Sequence, residues 1–421
     1  MQQKLKHIKT KISNNTKVIE NYFFMTSLPL ISSAFGILLY PYLIRNLGGE
    51  AYGIYVFLLA IVAYFIDLIG FGFQLTGLKL ITDNLNDSKQ KSVVLSGIIS
   101  AKVYLAILSV LIIIPLILFV DKLNEHRLLL TIIFTQIIAE IIFPQWYFRA
   151  IQQMKVVTWY QLSFRIASVP FIFILIKEPS DIMLYAIISA LSVIVPAALL
   201  LNHLVKLEKL HLRLVSFKKT IVFLQESLPL FISSFIETVK QESTTLIIGL
   251  FLGMRDVAIF DLAKKVIMLP RMMLANINVS IFPKLRLNPT AENIRRIIRY
   301  EWFIGLLVVS AILLAGYPAV YVLGGQDMLD AYPVTVLLSF TLLSWLIVGA
   351  YIYHIFIPNQ LNKYITINQS VSLITFAILL IPGLIWIPGI YAVVLPLVLS
   401  SITEILFSRY LIRKKNCNLT S

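Results

Sequence analysis

Charge is scarce in this chain. Aspartate, glutamate, lysine and arginine make up 14% of its 421 residues, against about a quarter in an ordinary soluble domain. A charge-poor surface cannot keep a chain of this size in water, and the mean hydropathy of +0.86 points to a polytopic membrane protein instead. Cysteine is nearly missing too. The single thiol, Cys417 in the tail, excludes an internal disulfide framework and a cysteine-rich metal site. The five histidines are scattered without ligand spacing. The sequence has no G-x-x-x-x-G-K-[ST] loop, no H-E-x-x-H, no C-x-x-C and no G-x-S-x-G, so the common motifs for ATP hydrolysis, zinc chemistry, thiol redox and acyl transfer are lacking. No catalytic residue and no metal ligand is assigned, and an enzyme is not expected.

What is present is hydrophobic sequence in long runs. Stretches of about 20 residues or more, enough to cross a bilayer, fall near 20–44, 51–78, 92–120, 128–148, 156–176 and 181–203. After a polar connection they resume near 221–252, 257–282, 297–323, 331–357, 363–386 and 388–408. The expected fold is all-α, with about twelve transmembrane helices in two sets of six. Residues 1–19 read as a basic arm, 20–203 as a first bundle, 204–219 as a linker, 220–410 as a second bundle and 411–421 as a tail. Glycine pairs Gly48–Gly49 and Gly324–Gly325 fall at expected helix ends, where turns need them.

The net charge of +15 does not signal a nucleic-acid partner, because the basic residues collect in alternate connections. One set takes in the N-terminal arm, 79–91, 149–155, 204–219, 284–299, Lys363 and the C-terminal end from Arg409; the other holds only Arg45, Lys122, Arg127, Lys177 and Arg255. This asymmetry places both termini in the cytoplasm. Arg295, Arg296 and Arg299 read as a helix start against anionic lipid, and Trp146, Tyr147, Trp159 and Tyr160 as interfacial anchors. Every expected outer loop is short, which disfavours a membrane glycan polymerase or ligase.

The halves echo each other. SLPL at 27–30 returns at 227–230, and LGGEAYGIY at 47–55 is matched by LGMRDVAIF at 252–260. An even number of spans separates the copies, so a parallel repeat is expected, with a path between the halves.

Charges inside the spans mark that path, since one at the centre of a transmembrane helix costs roughly 2.5–3.5 kcal/mol. Glu237, Lys240 and Gln241 share a stripe on the seventh helix, and Asp261, Lys264 and Arg271 share one on the eighth, with Lys265 at its edge. Substrate-binding candidates are Lys240, Lys264, Arg271, Arg165, Lys102 and Gln241; candidates for ion coupling or gating are Glu237, Asp261, Asp67 and Glu140. Asp67 with Lys102, and Glu140 with Arg165, suit neutralising pairs between neighbouring helices, while Glu237 with Lys240, and Asp261 with Lys264 or Lys265, each within one helix, are the places where a carboxylate beside a lysine could exchange a proton or bind sodium; a structural ion pair is the competing reading of each. The slight cationic excess fits an anionic head group such as pyrophosphate. Pro41 is placed to kink the first helix. His354 reads as a hydrogen-bonded packing histidine.

Four motifs carry a resemblance: YPYLIRNLGGEAYGIYVF at 40–57, FGFQLTG at 71–77, FPQWYFRAIQQM at 143–154 and IFPKL at 281–285. In these the chain resembles the polysaccharide-biosynthesis flippases of the bacterial O-antigen (Wzx) type, within the multidrug, oligosaccharidyl-lipid and polysaccharide exporter superfamily. Ala258, Ile259 and Phe260 depart from the glycine and tyrosine frequent in the second half of that family. The resemblance implies two bundles around a V-shaped central cavity, as in the multidrug exporters called MATE transporters. It also implies flipping of an undecaprenyl-pyrophosphate-linked oligosaccharide from the cytoplasmic to the outer leaflet of the bacterial inner membrane, in lipopolysaccharide or related surface-polysaccharide biosynthesis. Alternating access, coupling to H+ or Na+ with no other cofactor, membrane lipids as neighbours, and docking to a polysaccharide polymerase and chain-length regulator complete the expectation. A small-molecule or drug cation antiporter is the alternative within the same architecture.

Overall fold

A computed structural model describes residues 2–274, 278, 290–359 and 361–414, and leaves the side chains of 1–19, 22, 233, 237, 240, 291 and 362 outside the described set. Every regular element among the described residues is helical. Helix α1 runs Gln2–Gly70, 69 residues. That would be about 100 Å at 1.5 Å per residue, far beyond the ~30 Å of hydrocarbon, and it is in fact two helices. The break is at Gly48, φ 73 and ψ 164, a conformation that a residue without Cβ reaches freely. Non-helical geometry thus lies at Gly48 and not at the expected Pro41. Prolines elsewhere inside apolar helices are tolerated because neighbouring groups re-satisfy the freed carbonyls.

Next come α2 (Phe73–Asp83), α3 (Ser88–Phe119), α4 (Asp121–Glu125), α5 (Arg127–Phe134), α6 (Ile137–Ile142), α7 (Gln145–Ala150), α8 (Met154–Leu175), α9 (Ile182–Glu208) and α10 (Phe217–Phe251). The chain finishes with α11 (Met254–Leu274), α12 (Ala291–Gly324), α13 (Ala331–Tyr351), a π-helical turn at Ile352–Phe356, α14 (Asn362–Trp386) and α15 (Tyr391–Lys414). The expected continuous helix at 128–148 is instead three short ones. Thr135 and Gln136 close the first turn, and Phe143 goes extended before Pro144, as residues preceding proline tend to. Turns do fall at the glycines: α12 ends at Gly324 with Gly325 at φ 76.

Ten stretches among the described residues are long and apolar enough to cross a membrane. Of the expected helix near 257–282, residues 275–277 and 279–282 lie outside the described residues; its described part, α11, carries Arg255, Asp256, Asp261, Lys264, Lys265 and Arg271. Helix faces rich in exposed apolar side chains, such as Leu111, Phe119, Ile166 and Ile174 or Leu314, Ile378, Ile381, Ile385 and Trp386, suit lipid as the surrounding medium.

Two compact units divide the chain at Leu246 and Ile247, so most of α10 packs within the first. In that unit α8 lies against α9 and α1, while α6 lies against α1, α3 and α9. In the second, α13 is central, packed on α11, α12 and α15, and α14 pairs with α15. Its core joins Val309, Leu343, Ile347, Tyr351, Phe356, Ile405 and Leu411.

Candidate functional site

Helix α3 is the reason a lysine can sit inside the first unit. Its apolar run places Lys102 in the core at 1% exposure, where an unpaired ammonium would cost several kcal/mol. The short helix α6 supplies the answer. Lys102 Nζ donates to Glu140 Oε1 at 2.6 Å and to the Glu140 carbonyl oxygen at 2.7 Å. The same carboxylate closes on Gly70, where an added Cβ would lie 3.4 Å from Glu140 Oε1.

This corrects the expected pairing. Lys102 binds Glu140 and not Asp67, because α6 lies beside α3. Arg165, on α8 against α1, extends Nη1 toward the Ser32 carbonyl at 3.4 Å, so it does not pair with Glu140. Asp67 sits half-buried one turn before Gly70, and its backbone carbonyl accepts the Phe71 amide at 2.9 Å.

The motifs at 71–77 and 143–154 turn out to be one packing unit. Gly77 of α2 is the floor for Trp146 of α7: a Cβ there would stand 2.5 Å from the indole Cε3. Trp146 and Tyr147 are consequently buried, at 1% and 0% exposure, rather than interfacial, while Trp159 is exposed as expected. The Tyr147 hydroxyl reaches Glu208 Oε2 at 3.4 Å, and that carboxylate also pairs with Lys91.

Along α10 the first unit forms a close seam. Phe71 (φ 41) and Gly72 (φ 72) make the turn before α2, and a Cβ on Gly72 would meet Leu230 Cβ at 2.8 Å and the Phe231 nitrogen at 3.0 Å. The Phe71 and Phe231 rings stack with centroids 4.3 Å apart. Ser227 donates to Thr76 at 2.9 Å, Lys79 pairs with Glu226 at 2.9 Å, and Tyr64 bonds Ser243 at 3.2 Å. Gln241 is exposed on this helix. Glu237 and Lys240 lie outside the described side chains.

In the second unit α11 buries Val257, Phe260, Leu262, Ala263, Val266 and Ile267, which turns Asp261, Lys264 and Lys265 onto its partly exposed side. Asp261 pairs with Lys265, at i,i+4, and not with Lys264. The Lys264 ammonium lies 5.1 Å from the Phe260 ring centroid, and the Arg271 guanidinium 5.0 Å from that of Trp345 on α13; both are cation–π distances. Trp345 escaped notice in the sequence, where a lone tryptophan in an apolar run carries no signal. His354 behaves as a packing histidine should: its Nε2 is 3.1 Å from Asn278 Oδ1. Among the described residues no cluster of three or more histidine, cysteine, aspartate or glutamate side chains could hold a metal ion.

The geometry offers a guanidinium stacked on an indole and lysines on a charged helix, groups suited to an anionic ligand. A family model described as polysaccharide biosynthesis protein matches residues 18–286. The chain is 25% identical over 252 residues to a putative O-antigen transporter of Escherichia coli (strain K12); the match takes in 59% of this chain and 60% of the relative, so it spans less than two thirds of that protein. Among solved structures, the lipid II flippase MurJ in an inward closed conformation is similar at TM-score 0.71 and 15% identity, covering 93% of this chain and 87% of that one. An inward-facing multidrug resistance MATE family transporter of the MOP superfamily is similar at TM-score 0.64 and 15% identity, covering 93% and 96%. At such identity these likenesses concern the fold: this is an all-helical membrane transporter fold shared with MurJ and MATE proteins. With a family model matching well over half of its length, the chain belongs to the polysaccharide biosynthesis protein family.

Proposed function

We propose that the protein is a flippase that carries an undecaprenyl-pyrophosphate-linked oligosaccharide, an O-antigen or related repeat unit, from the cytoplasmic to the outer leaflet of the bacterial inner membrane. The observation that carries this reading is the family match over 18–286, supported by the likeness to a putative O-antigen transporter. Physical chemistry makes the task intelligible. Sugar hydroxyls and phosphate charges lose several kcal/mol each when stripped of water in hydrocarbon, so the head group needs a polar route while its polyprenyl tail stays in lipid.

On this reading Lys264, Arg271 and Lys240 hold the pyrophosphate or sugar, joined by Arg165 and Gln241 where the route passes the first unit. Asp261, Glu237, Asp67 and Glu140 serve coupling or gating, and both termini lie in the cytoplasm. Alternating access, driven by an H+ or Na+ gradient, moves the head group. No catalytic step belongs to the protein itself. A polysaccharide polymerase and a chain-length regulator are its proposed neighbours.

Deleting the gene tests this. Surface polysaccharide should disappear and lipid-linked repeat units should accumulate on the cytoplasmic leaflet, with both restored by a plasmid copy. Unchanged surface glycan would overturn the reading.

A further inference from the structure

The second unit holds a buried acid that none of the roles above uses. Glu301 lies on α12, about 16 Å along the axis from the Thr290 N-cap at 1.5 Å per residue, and is 1% exposed. Both of its carboxyl oxygens are buried with no hydrogen-bond partner among the described residues. The amide of Asn278 is a polar neighbour of this carboxyl, and no hydrogen bond closes between them. Asn278 is itself held by His354. With the amide oxygen toward the ring, Nε2 must donate, and Nδ1 is left buried and unbonded. Gly349 of α13 makes room for this amide, since a Cβ there would come within 2.9 Å of Asn278 Nδ2.

Cations lie on the surrounding elements, and none of them hydrogen-bonds the Glu301 carboxyl. On α15, Arg409 donates Nε to the Tyr351 hydroxyl at 2.9 Å and lies 5.3 Å over the Trp302 ring. On α12, Arg296 pairs with Glu292 at 2.8 Å, while Arg295 and Arg299 stand on the turns just before Glu301. On α11, Lys265 pairs with Asp261, Lys264 lies on Phe260 and Arg271 on Trp345. Other titratable groups on these elements include His354 and Tyr353 of the π turn, Tyr351 of α13 and Glu404 of α15. None is a hydrogen-bond or ion-pair partner of the Glu301 carboxyl. Charge on a carboxyl in such a setting is costly, and a bound proton removes that cost.

We propose that Glu301 is a proton-binding site of the second unit, able to release its proton when a change of conformation admits water beside Asn278 and His354. The step is a simple dissociation. The carboxyl O–H bond breaks, its electron pair stays on oxygen, and the proton passes to water at the α12 N-terminal end. The Asn278 amide is placed to turn a donor toward the new carboxylate, which lowers the cost of the charged state. Use of this site to couple transport to a proton gradient rests on the flippase reading; the protonation does not.

Infrared spectroscopy of the full chain in phospholipid vesicles tests it. At neutral pH the protein should show a protonated carboxylic-acid carbonyl band that shifts with 13C-glutamate labelling and is lost in Glu301→Gln. In Glu301→Asp an acid band should persist but no longer follow the glutamate label, which decides the matter if the glutamine variant does not insert. No glutamate-derived acid band at neutral pH, or one undiminished in Glu301→Gln or still following the label in Glu301→Asp, would overturn the proposal. Because this readout involves no export, an unchanged surface glycan on gene deletion would sink the flippase reading and leave the proton site standing.

Discussion

Lys102 and Glu140 are joined twice, the ammonium reaching both the side-chain Oε1 at 2.6 Å and the main-chain oxygen at 2.7 Å of the same residue. One lysine thereby fixes the carboxylate and also caps a carbonyl beside the broken turn at Phe143 and Pro144. Removing one partner leaves an uncompensated charge inside the bundle, a loss of about 3–5 kcal/mol. Lys102→Met and Glu140→Gln should each lower the unfolding temperature of the purified protein, whereas Lys102→Met with Glu140→Leu should recover most of it. Single variants as stable as the wild type would show that the pair carries no structural load.

A second expectation concerns Gly77. Its missing Cβ is the space taken by the Trp146 ring, so Gly77→Ala overpacks the site at a cost of about 1–3 kcal/mol. Thermal unfolding should register this loss, and Gly77→Ala with Trp146→Leu should offset part of it. If Gly77→Ala unfolds like the wild type, the two motifs do not depend on each other for packing.

Charge on α11 is the part of the proposed function most open to mutation. Lys264→Ala and Arg271→Ala, together with Lys240→Ala on the preceding helix, should each reduce surface glycan in a complementation assay while protein levels in the membrane stay normal. Trp345→Ala should weaken the hold on Arg271 by about 0.5–2 kcal/mol and give a milder defect. Full complementation by all three alanine variants would remove the cationic site from the account.

Much of this was legible in the sequence, and the failures have a common cause. Composition and run length determine that the chain lives in a membrane, and the helix-ending role of Gly48 and Gly324 follows from glycine's access to positive φ. Pairing of charges is different, because it depends on which helices are neighbours. Spacing along one helix says nothing of that, and the expected pair of Glu140 with Arg165 fails because α6 packs on α3 while α8 carries Arg165 toward Ser32. Trp146 and Tyr147 look like interfacial aromatics until the hole above Gly77 is seen. The break of 128–148 into three helices was foreshadowed only by Pro144.

Glu301 shows a subtler blindness. It follows Arg295, Arg296 and Arg299 closely enough to read as part of a solvated helix start, yet helical rotation turns it inward while Arg295 and Arg296 remain exposed. Asn278 continues the helical spacing of Asp261, Lys264 and Arg271 along the sequence. Its contact with His354 is not legible there, because 76 residues separate them.

The most direct measurement of the central claim is transbilayer movement itself. Proteoliposomes holding the purified chain and a polyprenyl-pyrophosphate-linked oligosaccharide on one leaflet are probed with an impermeant lectin or glycosidase on the other. The expected result is protein-dependent exposure of the oligosaccharide, slowed in Lys264→Ala and Arg271→Ala. Exposure no faster than in protein-free vesicles, with the chain correctly folded and inserted, would contradict the account.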